Sequence, residues 1–334
     1  MVTIKTIAKI AGVSHTTVSR ALNNNPAVKE ETRQKIQKIA TELGYSPNLG
    51  ARGLVTNQTY TIGLFFSSIS TGTSTSFLTE VIKRLHVALD KEYMLSVNGV
   101  DDLINYNIAV KSRLDGVIAV SQSEADDEFI DFVKRNGLPI VVLNRLLRRH
   151  DISNIGFDDY AGTFQALKYA IRMGHKSFGM IEGIENFESS AIRKRAFYDC
   201  IERHGLKVVP EAVIPGNYSV ASGYQAMKQI LFLPHFPTFV FCANDDMAIG
   251  ALRACHELNV QVPRDISIIG FDDSSYSAYT MPALTTIRKP IDKLSELGLS
   301  AFDQLMTDPN YRVKTQLVEP ELIIRDSVRN LNQA

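Results

Sequence analysis

Polar groups able to read hydroxyls or amide edges recur just after short β-rich runs of this chain. Asn144-Arg145 follow one such run, Asn244-Asp245-Asp246 follow Val240-Phe241-Cys242-Ala243, and Asp272-Asp273 follow Ile268-Ile269-Gly270-Phe271. Carboxylates and amides of this kind accept from or donate to adjacent hydroxyls of a sugar ring. Arg193, near the start of a helix expected over about Ser189 to His204, is suited to grip two hydroxyls at once. Tyr218 offers a ring face to the apolar side of a pyranose. None of this looks like catalysis. The acid pairs Asp158-Asp159 and Asp272-Asp273 are sequence neighbours and so point in different directions, and the seven histidines are scattered. The chain has no GxGxxG after the first strand and no GxxxxGK[ST], HExxH or GxSxG. The chemistry is that of binding, with neither cofactor nor metal expected.

A second set of polar groups lies in the first sixty residues. There the apolar spacing predicts three short helices: about Lys5 to Ala11, His15 to about Leu22, and about Lys29 to Leu43. Gly12 supplies the tight turn, Ser14 the N-cap of the second helix, and Gly44 the end of the third. A small residue (Ala8), a glycine turn (Gly12) and an apolar anchor (Val18) are the steric pattern of a helix-turn-helix. The second helix exposes His15, Thr16, Ser19 and Arg20. An arginine there donates two hydrogen bonds to guanine in the major groove, and His15 and Thr16 reach neighbouring base edges. Tyr45 and Lys35 are placed to meet phosphates.

Charge divides the same way. Residues 1–60 hold eight basic and three acidic side chains, a balance of +5, so the remainder of a chain with formal net charge zero carries −5. A basic head on an acidic body suits a head that meets a polyanion. From Thr61 onward short β-rich runs alternate with helices, and seven strands are predicted: Thr61–Phe66, Met94–Asn98, Gly116–Ser121, Pro139–Asn144, Ser177–Glu182, Pro237–Cys242 and Ile266–Gly270. Strand-helix alternation builds parallel sheets, which bind ligands at the carboxyl ends of their strands. The longest apolar runs fall far short of the ~20 residues needed to cross a bilayer. The N-terminus lacks an apolar signal core, and Cys200, Cys242 and Cys255 are an odd set in apolar stretches, expected as buried reduced thiols. These features point to the cytoplasm.

Several motifs, in order and at the right spacing, resemble the lactose/galactose repressor (LacI/GalR) family. They are Val13 to Asn23, Glu31-Thr32-Arg33, Leu43 to Asn48, and Ala51-Arg52-Gly53-Leu54, then Phe241 to Leu252, Val262 to Asp273, and Pro282 to Ile287. The resemblance covers almost the whole chain. It implies an all-α helix-turn-helix DNA-binding domain (1–46), a hinge helix and linker (47–60), and an α/β effector-binding and dimerisation domain (61–334) of the two-lobed periplasmic-binding-protein type. The first lobe would span about 61–160 plus 291–321, the second about 161–290 plus 322–334.

Carried over by position, the resemblance implies DNA contacts from Ser14, His15, Thr16, Thr17, Arg20 and Tyr45, and from Asn48, Ala51 and Leu54 in the hinge, with Leu54 as an apolar wedge in the minor groove. It implies effector contacts from Phe77, Asn144, Arg193, Tyr218, Asn244 and Asp272. The chain departs from the family at three places. Gly50 and Gly53 interrupt the hinge helix at ~1 kcal/mol each relative to alanine, Leu78 stands where a second aromatic is usual, and the Asp101 to Arg113 crossover is short, leaving room for about three helical turns. The C-terminal residues show no leucine heptads, so a homodimer on palindromic double-stranded operator DNA is expected. The effector is expected to be a small sugar or sugar phosphate. A purine or a partner protein is the alternative effector, and an exported sugar-binding receptor is the alternative molecule.

Overall fold

The computed structural model describes residues 2–22, 25–45, 58–89, 92–103, 105–106, 114–308 and 310–333. They fall into two compact units, Met1–Thr59 and Tyr60–Ala334.

In the first unit, helices α1 (Ile4–Ala11), α2 (His15–Leu22) and α3 (Glu30–Glu42) enclose Ile7, Ala11, Val18, Ala21, Ile36 and Ala40. Helix α1 starts where the Thr3 hydroxyl accepts the Thr6 amide at 3.4 Å. It ends where Gly12 turns left-handed at φ +72, which lets the amides of Gly12 and Val13 both reach the Ala8 carbonyl, at 3.0 and 3.1 Å. A Cβ would strain that turn. Ser14 then caps α2 as the sequence suggested, its hydroxyl accepting the Thr17 amide at 3.1 Å.

The second unit contains, in chain order, β1 (Thr61–Phe66), α4 (Thr75–Ala88), β2 (Met94–Gly99), β3 (Gly116–Val120), α5 (Asp127–Arg135), β4 (Ile140–Leu143), β5 (Ser153–Phe157), α6 (Asp159–Arg172), β6 (Ser177–Ile181), α7 (Glu188–Arg203), β7 (Lys207–Ile214), α8 (Val220–Leu231), β8 (Phe239–Cys242), α9 (Asp245–Glu257), β9 (Ser267–Ile269), β10 (Thr286–Arg288), α10 (Ile291–Thr307), β11 (Thr315–Val318) and β12 (Glu321–Ile323). One parallel sheet has the order β11-β5-β4-β3-β1-β2, a second the order β7-β6-β8-β9, and β10 and β12 form a small antiparallel pair. All seven predicted strands occur. Five more, β5, β7, β10, β11 and β12, were not read from the sequence.

The pleat sends successive side chains to opposite faces, and both faces of the larger sheet are covered. Phe66, Val81, Leu85, Leu143 and Phe302 pack on the α4 and α10 side, while Phe65, Phe129, Val133 and Val142 pack on the α5 side. The smaller sheet buries Phe178, Phe239, Phe241, Met227 and Met247 among α6 to α9. Each such side chain removed from water contributes roughly 1.5–3 kcal/mol.

The chain passes between the two lobes three times: after β5, between β10 and α10, and between β11 and β12. The passages lie side by side, since Asp158 donates its amide to Val318 (3.0 Å) and Arg288 registers with Glu321. Cys200, Cys242 and Cys255 are all buried free thiols. Most of the Asp101–Arg113 crossover, and with it the expected three-turn helix, lies outside the described residues. No helix among the described residues is long and apolar enough to cross a membrane.

Candidate functional site

On the first unit, His15, Thr16 and Arg20 project from α2 and are exposed. Ser14 and Thr17 behave differently. Their hydroxyls lie 2.8 Å apart at the N-terminus of α2 and are engaged with each other and with the helix cap. Tyr45 is half-buried against the head core, and Lys35 donates to the Ala11 carbonyl at 3.1 Å. Asn48, Ala51 and Leu54, with the expected hinge helix, lie outside the described residues.

On the second unit the carboxyl ends of both sheets face one chamber of about 20 Å³, room for about one water. All six side chains expected at an effector site line it: Phe77, Asn144, Arg193, Tyr218, Asn244 and Asp272. Leu78 packs against the first-lobe core instead. A larger cavity of about 510 Å³ adjoins and shares Phe77, Asp272 and Lys289 with the chamber.

The polar groups of the chamber are held by one another. Asn244 caps α9, its Oδ1 accepting the Met247 amide at 2.9 Å, and its Nδ2 donates to the Tyr218 carbonyl at 3.0 Å. That bond helps keep Tyr218 in a left-handed conformation, φ +67, with its ring stacked 6.0 Å from Phe187. The Tyr218 hydroxyl lies 3.3 Å from the Ser189 hydroxyl. Asn144, also left-handed at φ +70, donates to the Ser121 carbonyl at 3.2 Å.

Arg193 corrects one expectation. Its Nε and Nη2 donate to Asp159 Oδ1 at 2.9 and 2.7 Å, and its Nη1 donates to the Ala243 carbonyl. Three of its five N–H donors are thereby committed, and the guanidinium lies 3.8 Å above the Phe271 ring. It is not a free fork for two hydroxyls, because enclosing the cation required a carboxylate beside it.

Lys289 was missed by sequence reasoning. It follows the short strand β10, two residues beyond the Pro282 to Ile287 motif, so nothing in its spacing marked it. Its Nζ donates to Asn144 Oδ1 at 3.1 Å, sits 3.7 Å from Asp272 Oδ1, and faces the rings of Phe77 and Phe157 at 4.2 and 4.6 Å. Burial pulls its pKa below the usual lysine range, opposed by Asp272. Burial pushes the Asp272 carboxyl up, opposed by Lys289 and Arg193. Asp159 and Gln122 were also missed. Gln122 lines the chamber and donates its side-chain amide to Thr73 at 2.7 Å.

A helix-turn-helix head and a body of two parallel α/β lobes meeting on a polar chamber define a ligand-sensing, DNA-binding class of protein. Residues 3–48 match the bacterial regulatory proteins of the lacI family, and residues 167–328 match the periplasmic binding protein-like domain. The chain is 46% identical over 331 residues to the probable HTH-type transcriptional repressor ExuR of Bacillus subtilis (strain 168), covering 99% of each. It is 36% identical over 340 residues to the HTH-type transcriptional repressor PurR of Serratia proteamaculans (strain 568), covering 98% of this chain and 97% of the relative. A crystal structure of the lac repressor dimer bound to operator and the anti-inducer ONPF superposes with TM-score 0.80 at 26% identity, covering 98% of this chain and 99% of that one. The chain belongs to the lacI family of bacterial regulatory proteins. It is a transcription regulator, not an enzyme.

Proposed function

We propose that the protein is a cytoplasmic repressor that binds a palindromic double-stranded operator as a homodimer and whose operator affinity is set by a small sugar, or sugar phosphate, in the chamber. The observation that carries the effector half is the chamber itself. Aromatic faces from Phe77 and Tyr218 stand with Asp272, Asn144 and Gln122 around one space, the mixture of ring faces and hydrogen-bonding groups that a pyranose presents a match for. The domain division at about residues 46 and 60, and the lobe division set out from the sequence, belong to this reading. On the head, Arg20, His15 and Thr16 read bases, Tyr45 and Lys35 position phosphates, and Asn48, Ala51 and Leu54 form the minor-groove hinge. Ser14 and Thr17 support the helix end nearest the DNA.

The coupling needed is modest, about 1–3 kcal/mol shared reciprocally between ligand and operator. The lac repressor relative, a dimer on operator with an anti-inducer, supports this arrangement. A purine effector is the second reading, favoured by the stacked Phe187 and Tyr218 rings and by the 36% identical PurR relative.

The deciding experiment is a thermal-shift screen of sugars, sugar phosphates and purines on the full chain, since binding raises the melting temperature by mass action. The chain has no tryptophan to report binding by fluorescence. Stabilisation by a sugar or sugar phosphate that is lost in Asp272→Ala supports the first reading, and stabilisation by purines alone overturns it. For the head, Arg20→Ala is expected to cost ~1–3 kcal/mol and to relax selectivity at one base pair. A uniform loss across all duplexes would assign Arg20 to phosphate instead.

A further inference from the structure

Lys289 joins the two lobes through a single side chain. Its backbone belongs beside the second lobe, where its amide donates to the Asp272 carbonyl at 3.4 Å and the Asp272 amide donates to the Ile287 carbonyl at 2.7 Å. Its ammonium ends in the first lobe, in a socket made by Asn144 Oδ1 and the faces of Phe77 and Phe157. The residue is 7% exposed. A buried cation persists only where its charge is compensated. Of the two buried cations lining the chamber, Arg193 has its carboxylate in hydrogen-bond contact at 2.7 Å, whereas Lys289 and Asp272 stand 3.7 Å apart. Arg193 also acts on Asp272 but is hydrogen-bonded to Asp159, so Lys289 is the stronger countercharge of Asp272.

We propose that Lys289 is the interlobe strut of this regulator: its ammonium, seated in the first-lobe socket, neutralises Asp272 and so permits the lobes to close over that carboxylate. Among the described residues, two other hydrogen bonds cross the cleft, from the Glu188 amide to the Gln122 carbonyl at 3.0 Å and from the Ser76 hydroxyl to Asp246 at 3.3 Å. Both lie between groups that exchange a protein partner for water at small net cost on opening. The strut is different. Without its charge, closing the lobes encloses a carboxylate left with only Arg193, a cation already paired with Asp159, which is unfavourable. A ligand group that engages Asp272 or Asn144 alters the partners of Lys289 directly, so chamber occupancy and lobe closure become one equilibrium. That last step rests on the effector-site reading above, and the strut itself does not.

The test is hydrogen exchange on the full chain, with no sugar and no DNA present, so its failure is separable from failure of the effector reading. The reporter is the Glu188 amide, which is protected by the Gln122 carbonyl only when the lobes are closed. Lys289→Met keeps the apolar stem and removes the charge. It is expected to speed exchange at Glu188 by about tenfold or more while leaving the β8 amides, Phe239–Cys242, protected. Adding Asp272→Asn removes that carboxylate and is expected to restore Glu188 exchange to within about twofold of the starting protein. Unchanged exchange in Lys289→Met overturns the proposal, as does a double variant as fast as the single one. Equal acceleration of the β8 amides also overturns it, by assigning Lys289 to folding rather than closure.

Discussion

Arg193 and Asp159 form an enclosed ion pair in which two guanidinium nitrogens, Nε and Nη2, converge on a single carboxylate oxygen, Oδ1. The pair ties α7 to the start of α6, and its side chains are 3% and 5% exposed. Asp159→Asn leaves the guanidinium buried with no countercharge. It is expected to lower the unfolding free energy by about 3–5 kcal/mol, measured by urea titration. A loss below about 1 kcal/mol would mean that water or another acceptor replaces the carboxylate.

The same pair shows what the sequence did and did not disclose. Arg193 was legible as a chamber residue because a long cation near a helix start, at the carboxyl edge of a parallel sheet, has few other places to go. Its partner was not, because Asp159 lies on a different helix, 34 residues away along the chain, and no periodicity links positions 159 and 193. Lys289 was hidden for the same reason: its contacts are with residues 77, 144, 157 and 272, all distant along the chain. Three of the strands that went unread have local causes. β7 contains Pro210 and lies at a sheet edge with a register shift opposite Phe178/Met180, so its pattern is broken. β10 and β12 are three-residue strands, too short to carry a period. The head was legible almost to the residue, since its three helices each have a local stop or start signal and an apolar stripe.

Two buried groups should tilt stability against pH in opposite directions. Burial, with the Asp272 charge adding to it, raises Asp245 from 3.8 to about 7. Between those values the folded chain keeps a proton that the unfolded chain has released, so stability falls as pH rises through the window. His175 is lowered from 6.5 to about 4 by burial, its ring held between Thr238 and the Arg329 carbonyl. Its contribution is fully present above about pH 6.5 and is lost as pH falls toward 4. The two slopes oppose each other over most of the range. Relative to the starting protein, His175→Gln is therefore expected to lose more stability as pH rises from about 4 to 6.5, and Asp245→Asn less, each by up to about 1.4 kcal/mol per pH unit. Urea unfolding at several pH values checks both, and identical slopes in all three proteins would refute the assignment.

Gly183 sets the position of the Tyr218 ring. A Cβ at Gly183 would lie 2.2 Å from the Tyr218 hydroxyl and ring, too close for both to stay. Tyr218 in turn is stacked on Phe187 and held through the Asn244 amide, so it has little freedom to step aside. Gly183→Ala is expected to cost about 1–3 kcal/mol through overpacking and to abolish the thermal shift given by any ligand the chamber binds. A variant that retains the full shift would show that the ring plays no part in holding the ligand.

On the head, two kinds of residue share the front of α2, and substitution should separate them. The Ser14 hydroxyl accepts the Thr17 amide and pairs with the Thr17 hydroxyl, so it works for the helix before it meets any partner. Ser14→Ala is expected to lower head stability by about 1 kcal/mol, the usual worth of an N-cap, seen as an earlier first transition in calorimetry of the full chain. His15 and Arg20 are exposed, so alanine there should leave that transition within about 0.5 kcal/mol of its starting position. Their effect should fall on duplex binding instead. If His15→Ala and Arg20→Ala destabilise the head as much as Ser14→Ala does, α2 presents no free reading face and its exposed polar side belongs to the fold.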